Sequence, residues 1–282
     1  MKNLRRLMME NLKINKKRSC RREFSKKGRW KFIIRHINFI ILPLLILAMW
    51  IIVAKIEVFS PVILPSIDMV LESFKVQITS GQLFKDMGIS LLRVVEGYLI
   101  AAFLGITLGV FMGMIKKVNN FFTLTFGAIR QIPMLAWIPL IILWAGIGEA
   151  SKIIVITLAA FFPILLNTIN GIKRTDKNLI EVGNMYNLSK WKLFTKIYLP
   201  SSLPSIFVGL KLGLGISWMA VVGAEIIASS SGIGYRMNDA RSLMQPEVVF
   251  VGMITIAILG VLMDQVLTIL SKKITPWEKN KQ

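Results

Sequence analysis

Five charged residues stand inside long apolar stretches, where an ionisable side chain is costly and usually serves binding, proton transfer or gating. They are Arg93, Glu96, Lys211, Glu225 and Asp264. Arg93 and Glu96 are three residues apart, so we expect them to pair on one helix face. Lys211 and Asp264 are expected near helix ends, where their side chains can reach water. Glu225 has apolar or small neighbours on both sides, which favours a role in gating or helix positioning.

The composition excludes several other kinds of chemistry. The chain has one cysteine, Cys20, and one histidine, His36, which excludes disulfide frameworks and Cys/His metal sites. Since no cluster of carboxylates lies in the apolar stretches, a membrane-embedded enzyme is hard to assemble. The sequence also lacks the G-x-x-x-x-G-K-[ST] loop that cradles nucleotide phosphates. We therefore expect no catalytic residue, no ATP hydrolysis and no cofactor in this chain.

The elements that position these charges are predicted to be transmembrane helices. Of the 282 residues, 54% are hydrophobic, and the mean hydropathy is +0.63. A bilayer core about 30 Å thick needs about 20 apolar residues in a helix, because a helix satisfies its own backbone there. Six segments fit: residues 37–54, 97–115, 131–148, 153–172, 203–228 and 248–271. The sequence therefore predicts an all-α integral membrane protein with about six transmembrane helices.

The distribution of cations predicts how the chain is oriented. Lys and Arg in short loops are retained on the cytoplasmic side. With the N-terminus inside, the cytoplasmic segments hold 26 of the 35 Lys and Arg residues and the external segments hold six. Both termini are therefore expected in the cytoplasm, in a multi-pass protein of the plasma membrane.

The N-terminal tail, residues 1–35, holds 14 of these cations. A net charge of +20 could suggest nucleic acid as a partner. Because the tail precedes an apolar stretch, anionic lipid headgroups are the expected partner instead, and no nucleic acid is expected. The sequence thus predicts a basic cytoplasmic tail at 1–35 and a transmembrane domain at 36–282.

A stripe of small residues in the second predicted span lets another helix approach closely. It recurs every four residues, as Gly97, Ala101, Gly105, Gly109 and Gly113. Gly209 and Gly213 form a shorter stripe in the fifth span. The stripe could serve a gate or a subunit contact, but ordinary helix packing is the favoured interpretation because such motifs are common.

The third apolar region is unusually long if it starts at Phe121, and two prolines interrupt it. Since proline removes a helical hydrogen bond, Pro133 and Pro139 predict a kinked or broken helix. Such breaks can line a substrate path or be merely structural. The candidate gating or pathway residues are Glu225, Pro133, Pro139 and Ser217. No cluster of cations in the path demands an anion. Arg130, just before the third span, is the single candidate, with a position near the cytoplasmic surface as the alternative.

The longest predicted cytoplasmic loop, residues 173–202, has the pattern of two short helices. Asp176 can cap the first, which runs to about Tyr186, and Asn187 can adopt the left-handed conformation that ends a helix. Ser189 can cap the second. An apolar face on that helix combines Trp191, Phe194, Ile197 and Tyr198. Leu199-Pro200 and Pro204 are expected to stop it before the next span.

This loop resembles that of the membrane subunits of binding-protein-dependent ABC importers. The family motif is EAA, three residues, G, nine residues, I-x-L-P, and the matching residues are Glu181-Val182-Gly183, Asn187, Ile197, Leu199 and Pro200. Two departures are Val-Gly for two alanines and Asn for glycine, and asparagine keeps the left-handed turn accessible. The resemblance implies that the helix 189–198 docks into a separate ATPase. The implied coupling residues are Glu181, Asn187, Ser189, Trp191, Phe194, Ile197, Leu199 and Pro200.

Outside the loop, from Pro61 to Trp277, the chain resembles the nitrate, sulfonate and taurine permease group. The matching segments are Ala136–Leu140, Trp144–Glu149, Pro204–Ile206, Gly209–Lys211, Ser217-Trp218, Ala224-Glu225, Gly232–Tyr235, Asp264 and Trp277. This implies a type I ABC importer permease bundle with its core at about 85–272. It also implies a second permease copy as a homodimer partner, cytoplasmic ATPase subunits that bind ATP and Mg, and an extracytoplasmic solute-binding protein.

A different class remains open from the residues alone. A secondary transporter or channel subunit that works without ATP would also have several spans and intramembrane charges. Coupling-ion sites usually need acids near the bilayer centre, whereas the predicted spans put Glu225, Glu96 and Asp264 nearer their ends. The importer permease is therefore the favoured interpretation, with nitrate, a sulfonate, taurine or a related compound as the solute.

Overall fold

The computed structural model describes residues 41–56 and 59–277. The predicted tail at 1–35 and the first residues of the predicted first span lie outside these ranges, as do Cys20 and His36. Within them the chain forms helices and no strand. The chain divides into two units, residues 1–67 and 68–282.

The first unit contains the apolar helix α1, Ile41–Lys55. A turn region follows, and the Trp50 Nε1 donates a hydrogen bond to the carbonyl of Pro65 at 3.0 Å. The indole thereby satisfies its polar atom while its body stays apolar. At 15 described residues α1 is shorter than a span. Because the predicted span 37–54 begins outside the described residues, its full length stays a prediction.

The second unit is a bundle of helices with short connections. In chain order they are α2 (Ile67–Thr79), α3 (Gln82–Met114), α4 (Lys116–Ile129), α5 (Met134–Ala145), α6 (Glu149–Lys173), α7 (Lys177–Met185), α8 (Lys190–Leu193), α9 (Leu199–Ala228), α10 (Ile233–Ser242) and α11 (Pro246–Ile274). Within the described residues, four helices are long and apolar enough to cross a membrane: α3, α6, the run from α8 through α9, and α11.

The helix α6 is the centre of the bundle, with α3 on one side and α9 on another. A Cβ on Gly97, Gly109 or Gly113 of α3 would lie 2.7 Å from a side-chain atom of α6. Ile164 of α6 also contacts Gly213 of α9, where a Cβ would lie 2.9 Å from its Cγ1. The predicted small-residue stripes therefore pack helices within this chain, which confirms the ordinary packing interpretation.

The kinked or broken helix predicted for the third apolar region is confirmed. The structure has two helices, α4 and α5, bent by 97° at a break of no more than four residues, so that together they form a broken span or a re-entrant loop. The break lies at Pro133, which immediately precedes α5 and cannot donate a backbone hydrogen bond. Pro139 lies inside the continuous α5, so of the two prolines only Pro133 marks the break. With the bent pair counted as one span, the described residues contain up to five, and the sixth stays a prediction.

The predicted stop at Leu199-Pro200 and Pro204 is wrong. The chain passes from α8 through a π-helical turn, Phe194–Tyr198, directly into α9. The Leu199 N–H donates to the Phe194 carbonyl, five residues earlier. A proline ring crowds the carbonyl four residues before it, and the widened π turn beside Pro200 accommodates that ring without ending the helix. The two short helices predicted for the loop are otherwise confirmed as α7 and the segment that starts with α8.

Candidate coupling surface and buried ion-pair network

Local hydrogen bonds fix the shape of the loop between α6 and α9. Asp176 Oδ1 accepts from the Asn178 N–H at 2.9 Å, and Ser189 Oγ accepts from the Lys192 N–H at 3.4 Å. Each bond satisfies an N–H group that a helix start leaves without a partner. Asn187 lies between the two helices with φ of 50°, the left-handed conformation predicted for it. The caps and the turn thus hold α7 and α8 at a defined angle.

Gly183 is the point where α7 packs against the second helix of the loop. A Cβ on Gly183 would lie 2.6 Å from Leu193 Cδ1 and 2.7 Å from Ile197 Cδ1. The glycine is buried and lets the two helices approach closely. The departure from alanine at this position therefore has a packing reason that the sequence pattern alone did not reveal.

The opposite face of the loop presents large apolar side chains to the surroundings. Met185, Tyr186 and Trp191 have 82%, 78% and 72% of their surface exposed. The rings of Trp191 and Phe194 lie 5.8 Å apart, so Phe194 supports the exposed indole. The predicted apolar face therefore divides: Ile197 packs inward on α7 while Trp191 points outward. We call Met185, Tyr186 and Trp191 the loop patch.

The remaining predicted coupling residues lie at the base of the loop or beside the patch. Glu181 is exposed on α7, and Leu199 is half-buried where α9 begins. Pro200 lines a cavity together with Asp176, Ile197 and Trp277. The structure thus brings the predicted coupling residues into one region around α7, α8 and the start of α9. A rigid apolar patch between basic residues is suited to bind a groove on another protein.

A second candidate site surrounds Glu225, which is fully buried near the end of α9. Its carboxylate accepts from the Arg93 Nη1 at 2.8 Å, the Ser90 Oγ at 2.8 Å and the Gly234 N–H at 2.8 Å. A buried charge is stable only when it is paired and hydrogen-bonded. All of these partners come from other helices, so Glu225 ties α9 to α3 and α10.

Arg93 extends this network to the start of α6. Its Nε and Nη2 donate to the two carboxylate oxygens of Glu149, each at 2.6 Å. Lys152 Nζ lies 3.0 Å from Glu149 Oε1, and the Ser231 carbonyl accepts from Arg93 Nη1 at 2.9 Å. The expected pairing of Arg93 with Glu96 is wrong, because two carboxylates from other helices occupy its planar, forked guanidinium.

The first N–H groups of α10 bind the same cluster. Asp86 Oδ1 accepts from the Gly232 N–H at 3.3 Å, and Ser90 Oγ accepts from the Ile233 N–H at 2.9 Å. Arg236 Nε in turn lies 3.1 Å from Asp86 Oδ2. Gly232 has φ of 104°, a conformation that favours glycine, and a Cβ there would overlap the Glu225 carboxylate. We call the network of Asp86, Arg93, Glu149, Lys152, Glu225 and Arg236 the six-charge cluster.

This cluster contains three acids and three bases, which balances its charge. Its function in the structure is to join the end of α9, the starts of α6 and α10, and α3. Sequence reasoning identified Glu225 and Arg93 but missed Asp86 and Glu149 as their neighbours. The available signals were two family segments: Trp144–Glu149, which ends at Glu149, and Gly232–Tyr235, whose two glycines allow the backbone to approach Glu225.

The other predicted residues have less distinctive positions. Ser217 is fully buried, and its Oγ donates to the Gly213 carbonyl at 2.9 Å within α9. Pro133 and Pro139 are exposed on the α4–α5 region. Lys211 Nζ donates to Thr268 Oγ1 at 2.6 Å, and Thr268 Oγ1 in turn donates to the Asp264 carbonyl. In the described residues no group of three or more His, Cys, Asp or Glu side chains could hold a metal ion.

The comparison with known families agrees with the fold and the loop. Residues 105–276 match the family of the binding-protein-dependent transport system inner membrane component. The chain belongs to this family, the permeases of ABC importers, and within it to the nitrate, sulfonate and taurine group.

Two curated relatives cover most of the chain. The putative aliphatic sulfonates transport permease protein SsuC of Bacillus subtilis is 38% identical over 86% of this chain and 87% of the relative. The taurine transport system permease protein TauC of Escherichia coli is 33% identical over 82% of this chain and 86% of the relative.

Solved structures support the same fold. A chain of the MetNI methionine ABC transporter in an inward-facing conformation has a TM-score of 0.54 at 19% identity and covers 66% of this chain and 93% of its own length. An amino acid ABC transporter crystallised with histidines has the same TM-score at 14% identity, covering 72% and 96%. At these identities the likeness shows the fold alone.

Proposed function

We propose that this chain forms the translocation path of an importer and is driven by a separate cytoplasmic ATPase that docks on the loop patch. The solute is a small compound such as nitrate, a sulfonate or taurine, as the names of the relatives suggest. The observation that carries the proposal is the exposure of Met185, Tyr186 and Trp191 on a loop whose backbone is fixed at both helix starts. Large exposed apolar side chains on a rigid support are typical of an interface.

The continuous helix from α8 into α9 gives a direct route for coupling. A displacement of Trp191 by the ATPase would be transmitted along the backbone of α9, because no non-helical residue separates the two. At the far end, Glu225 connects α9 to α3 and α10. Closure of the ATPase pair would thus move the loop end and the Glu225 end of the bundle at the same time.

The partners follow from this arrangement. We expect a second copy of this chain as a homodimer partner, two ATPase subunits that bind ATP and Mg, and an external solute-binding protein. The loop and both termini would lie in the cytoplasm, since the cations of the sequence are concentrated on that side. In this orientation the six-charge cluster lies on the external side, where the solute-binding protein would deliver its cargo.

Copurification tests the proposal. The tagged chain is isolated from native membranes in mild detergent, and its partners are identified by mass spectrometry. A variant with Met185→Ala and Trp191→Ala should lose a P-loop ATPase that the wild type retains, because both side chains are exposed and neither supports the fold. Trp144→Ala is the matched control, since Trp144 is 69% exposed but lies on α5 outside the loop.

Two results would contradict the proposal. If the double variant retains the ATPase as well as the control does, the loop patch is not the docking surface. If no ATPase accompanies the wild type and its uptake depends on an ion gradient instead, the chain works as an ATP-independent transporter.

A further inference from the structure

Arg130 lies where α4 ends and the chain bends towards α5. The sequence left open whether it lies in the path or near the cytoplasmic surface, and the structure places it beside the middle of α6. The ring of Phe126, one turn before it, lies 5.7 Å from Phe161 and 5.9 Å from Phe162. Phe162 is the fourteenth residue of the 25 in α6, about 16 Å from its C-terminal end along the axis. If α6 spans the membrane, as its length and hydropathy indicate, a residue beside its middle lies at mid-membrane depth.

The side chain of Arg130 makes no hydrogen bond or ion pair with any residue in the described part of the chain, and it is exposed. Arg93 of α3, by contrast, is buried and binds two carboxylates. A guanidinium remains charged at all relevant pH values. An unpaired cation at this depth is therefore not a structural ion pair, and its environment must supply water or an anion.

Physical chemistry decides which environment that is. A charged side chain facing hydrocarbon at the bilayer centre is strongly unfavourable, and such residues instead face a bundle interior or a water-filled cavity. A break in a helix is likewise tolerated at membrane depth only where it lines protein or water. Because Arg130 and the α4–α5 break coincide, both requirements are met if this face of the chain borders an aqueous path.

Two cavities meet at Arg130 and support this interpretation. One, of about 280 Å³, extends along α6 to Lys173 and Asn119. The other, of about 320 Å³, extends past Pro133 to Trp137 and Ile216. Their sizes are near the lower end for small-molecule sites, about 300–1,000 Å³, which fits a small solute. The α5 N-terminus at the break has no side-chain cap, and its partial positive charge adds to the charge of Arg130.

We propose that Arg130 is an anion-binding residue of the translocation path and holds a small oxyanion, such as a sulfonate or nitrate, at mid-membrane depth. The planar guanidinium can donate two parallel hydrogen bonds to two oxygens of such an anion. The inference rests on the proposed function, because it assumes that a solute crosses this chain. It adds to the proposed function that the path selects anions and that Arg130 is the residue that binds them.

A cysteine reporter tests the local field without any need for transport. Thr123 lines the same cavity and lies seven residues, two helical turns, before Arg130. Thr123→Cys is made in a Cys20→Ser background, which leaves it as the single thiol. The purified chain in lipid nanodiscs then reacts with an anionic, sulfonate-bearing methanethiosulfonate and with its trimethylammonium counterpart.

The measured quantity is the rate at which the thiol reacts with the anionic reagent divided by its rate with the cationic reagent. Arg130→Gln should lower this ratio by about fivefold at low salt, as expected for a charge about 10 Å away in a partly screened cavity. Lys85→Gln, an exposed cation at the start of α3, should leave the ratio unchanged. A ratio that is the same with and without Arg130, or a thiol that reacts with neither reagent, would overturn the proposal.

A second test measures transport in proteoliposomes that contain the copurified ATPase and the solute-binding protein. Uptake of ethanesulfonate and of nitrate is measured separately, which distinguishes the two oxyanions. Arg130→Gln should lower the uptake of the transported anion at least tenfold while ATPase binding is retained, and Arg130→Lys should retain part of it. Unchanged uptake in Arg130→Gln would overturn the role of Arg130. If the wild type binds no ATPase, the proposed function fails, and the reporter ratio still decides whether Arg130 attracts anions.

Discussion

At the scale of single residues, Arg93 and Arg130 show how differently one side chain can be used in one bundle. Arg93 donates to Glu149 and Glu225 and is a fixed part of the structure. Arg130 has no partner among the described residues and is exposed at a helix break. Removing one partner of a buried pair leaves an uncompensated charge, whereas removing a free cation does not. Substitution of Arg93 should therefore lower the stability of the protein, whereas substitution of Arg130 should leave stability unchanged and impair transport.

Glu225→Gln should destabilise the protein by about 3–5 kcal/mol, because Glu225 is buried and an amide cannot accept from all of its donors. Glu149→Gln should cost less, since the Glu149 side chain is 59% exposed and Arg93 keeps Glu225 as a partner. Thermal unfolding of both variants in the same detergent measures the difference. Equal losses would contradict the assigned roles.

At the scale of elements, the packing of α3 on α6 depends on glycines that a methyl group would disturb. A Cβ at Gly109 would lie 2.7 Å from Thr168 Cβ, an atom that cannot move without its backbone. A Cβ at Gly88, on the same helix, would meet nothing within 4 Å. The two positions form a matched pair that separates packing from helix propensity.

Gly109→Ala should destabilise the protein by about 1–3 kcal/mol through overpacking against α6. Gly88→Ala should be neutral or stabilise by up to about 1 kcal/mol, because alanine favours the helix. Unfolding in detergent, read by circular dichroism at 222 nm for helix loss, compares them. A similar effect of both substitutions would mean that the α3–α6 contact is looser than described.

Sequence reasoning succeeded where the determining contacts are local. Asp176, Asn187 and Ser189 act on backbone groups within a few residues, so their types alone predicted the caps and the turn. It failed where the partner is distant in the chain. Glu225 and Arg93 are 132 residues apart, and no periodicity indicates which carboxylate an arginine will meet. The sequence left the position of Arg130 open for a related reason, because hydropathy does not show that α4 runs along α6 before it.

At the scale of the whole molecule, two ends of one long helix carry the two candidate sites. The run from Lys190 to Ala228 begins at the loop patch and ends just after Glu225. Its middle is packed on α6 through Gly209 and Gly213. A force at Trp191 can therefore reach the six-charge cluster through a continuous backbone, which is the physical basis of the proposed coupling.

The most direct test of this account is photo-crosslinking from the loop patch in native membranes. A benzophenone amino acid replaces Trp191, and in a control the same group replaces Phe111, which is exposed on α3 outside the loop. The account predicts that the Trp191 position, but not the control, forms an adduct with a P-loop ATPase identified by mass spectrometry. An adduct with lipid alone at the Trp191 position, in membranes that support uptake, would contradict it.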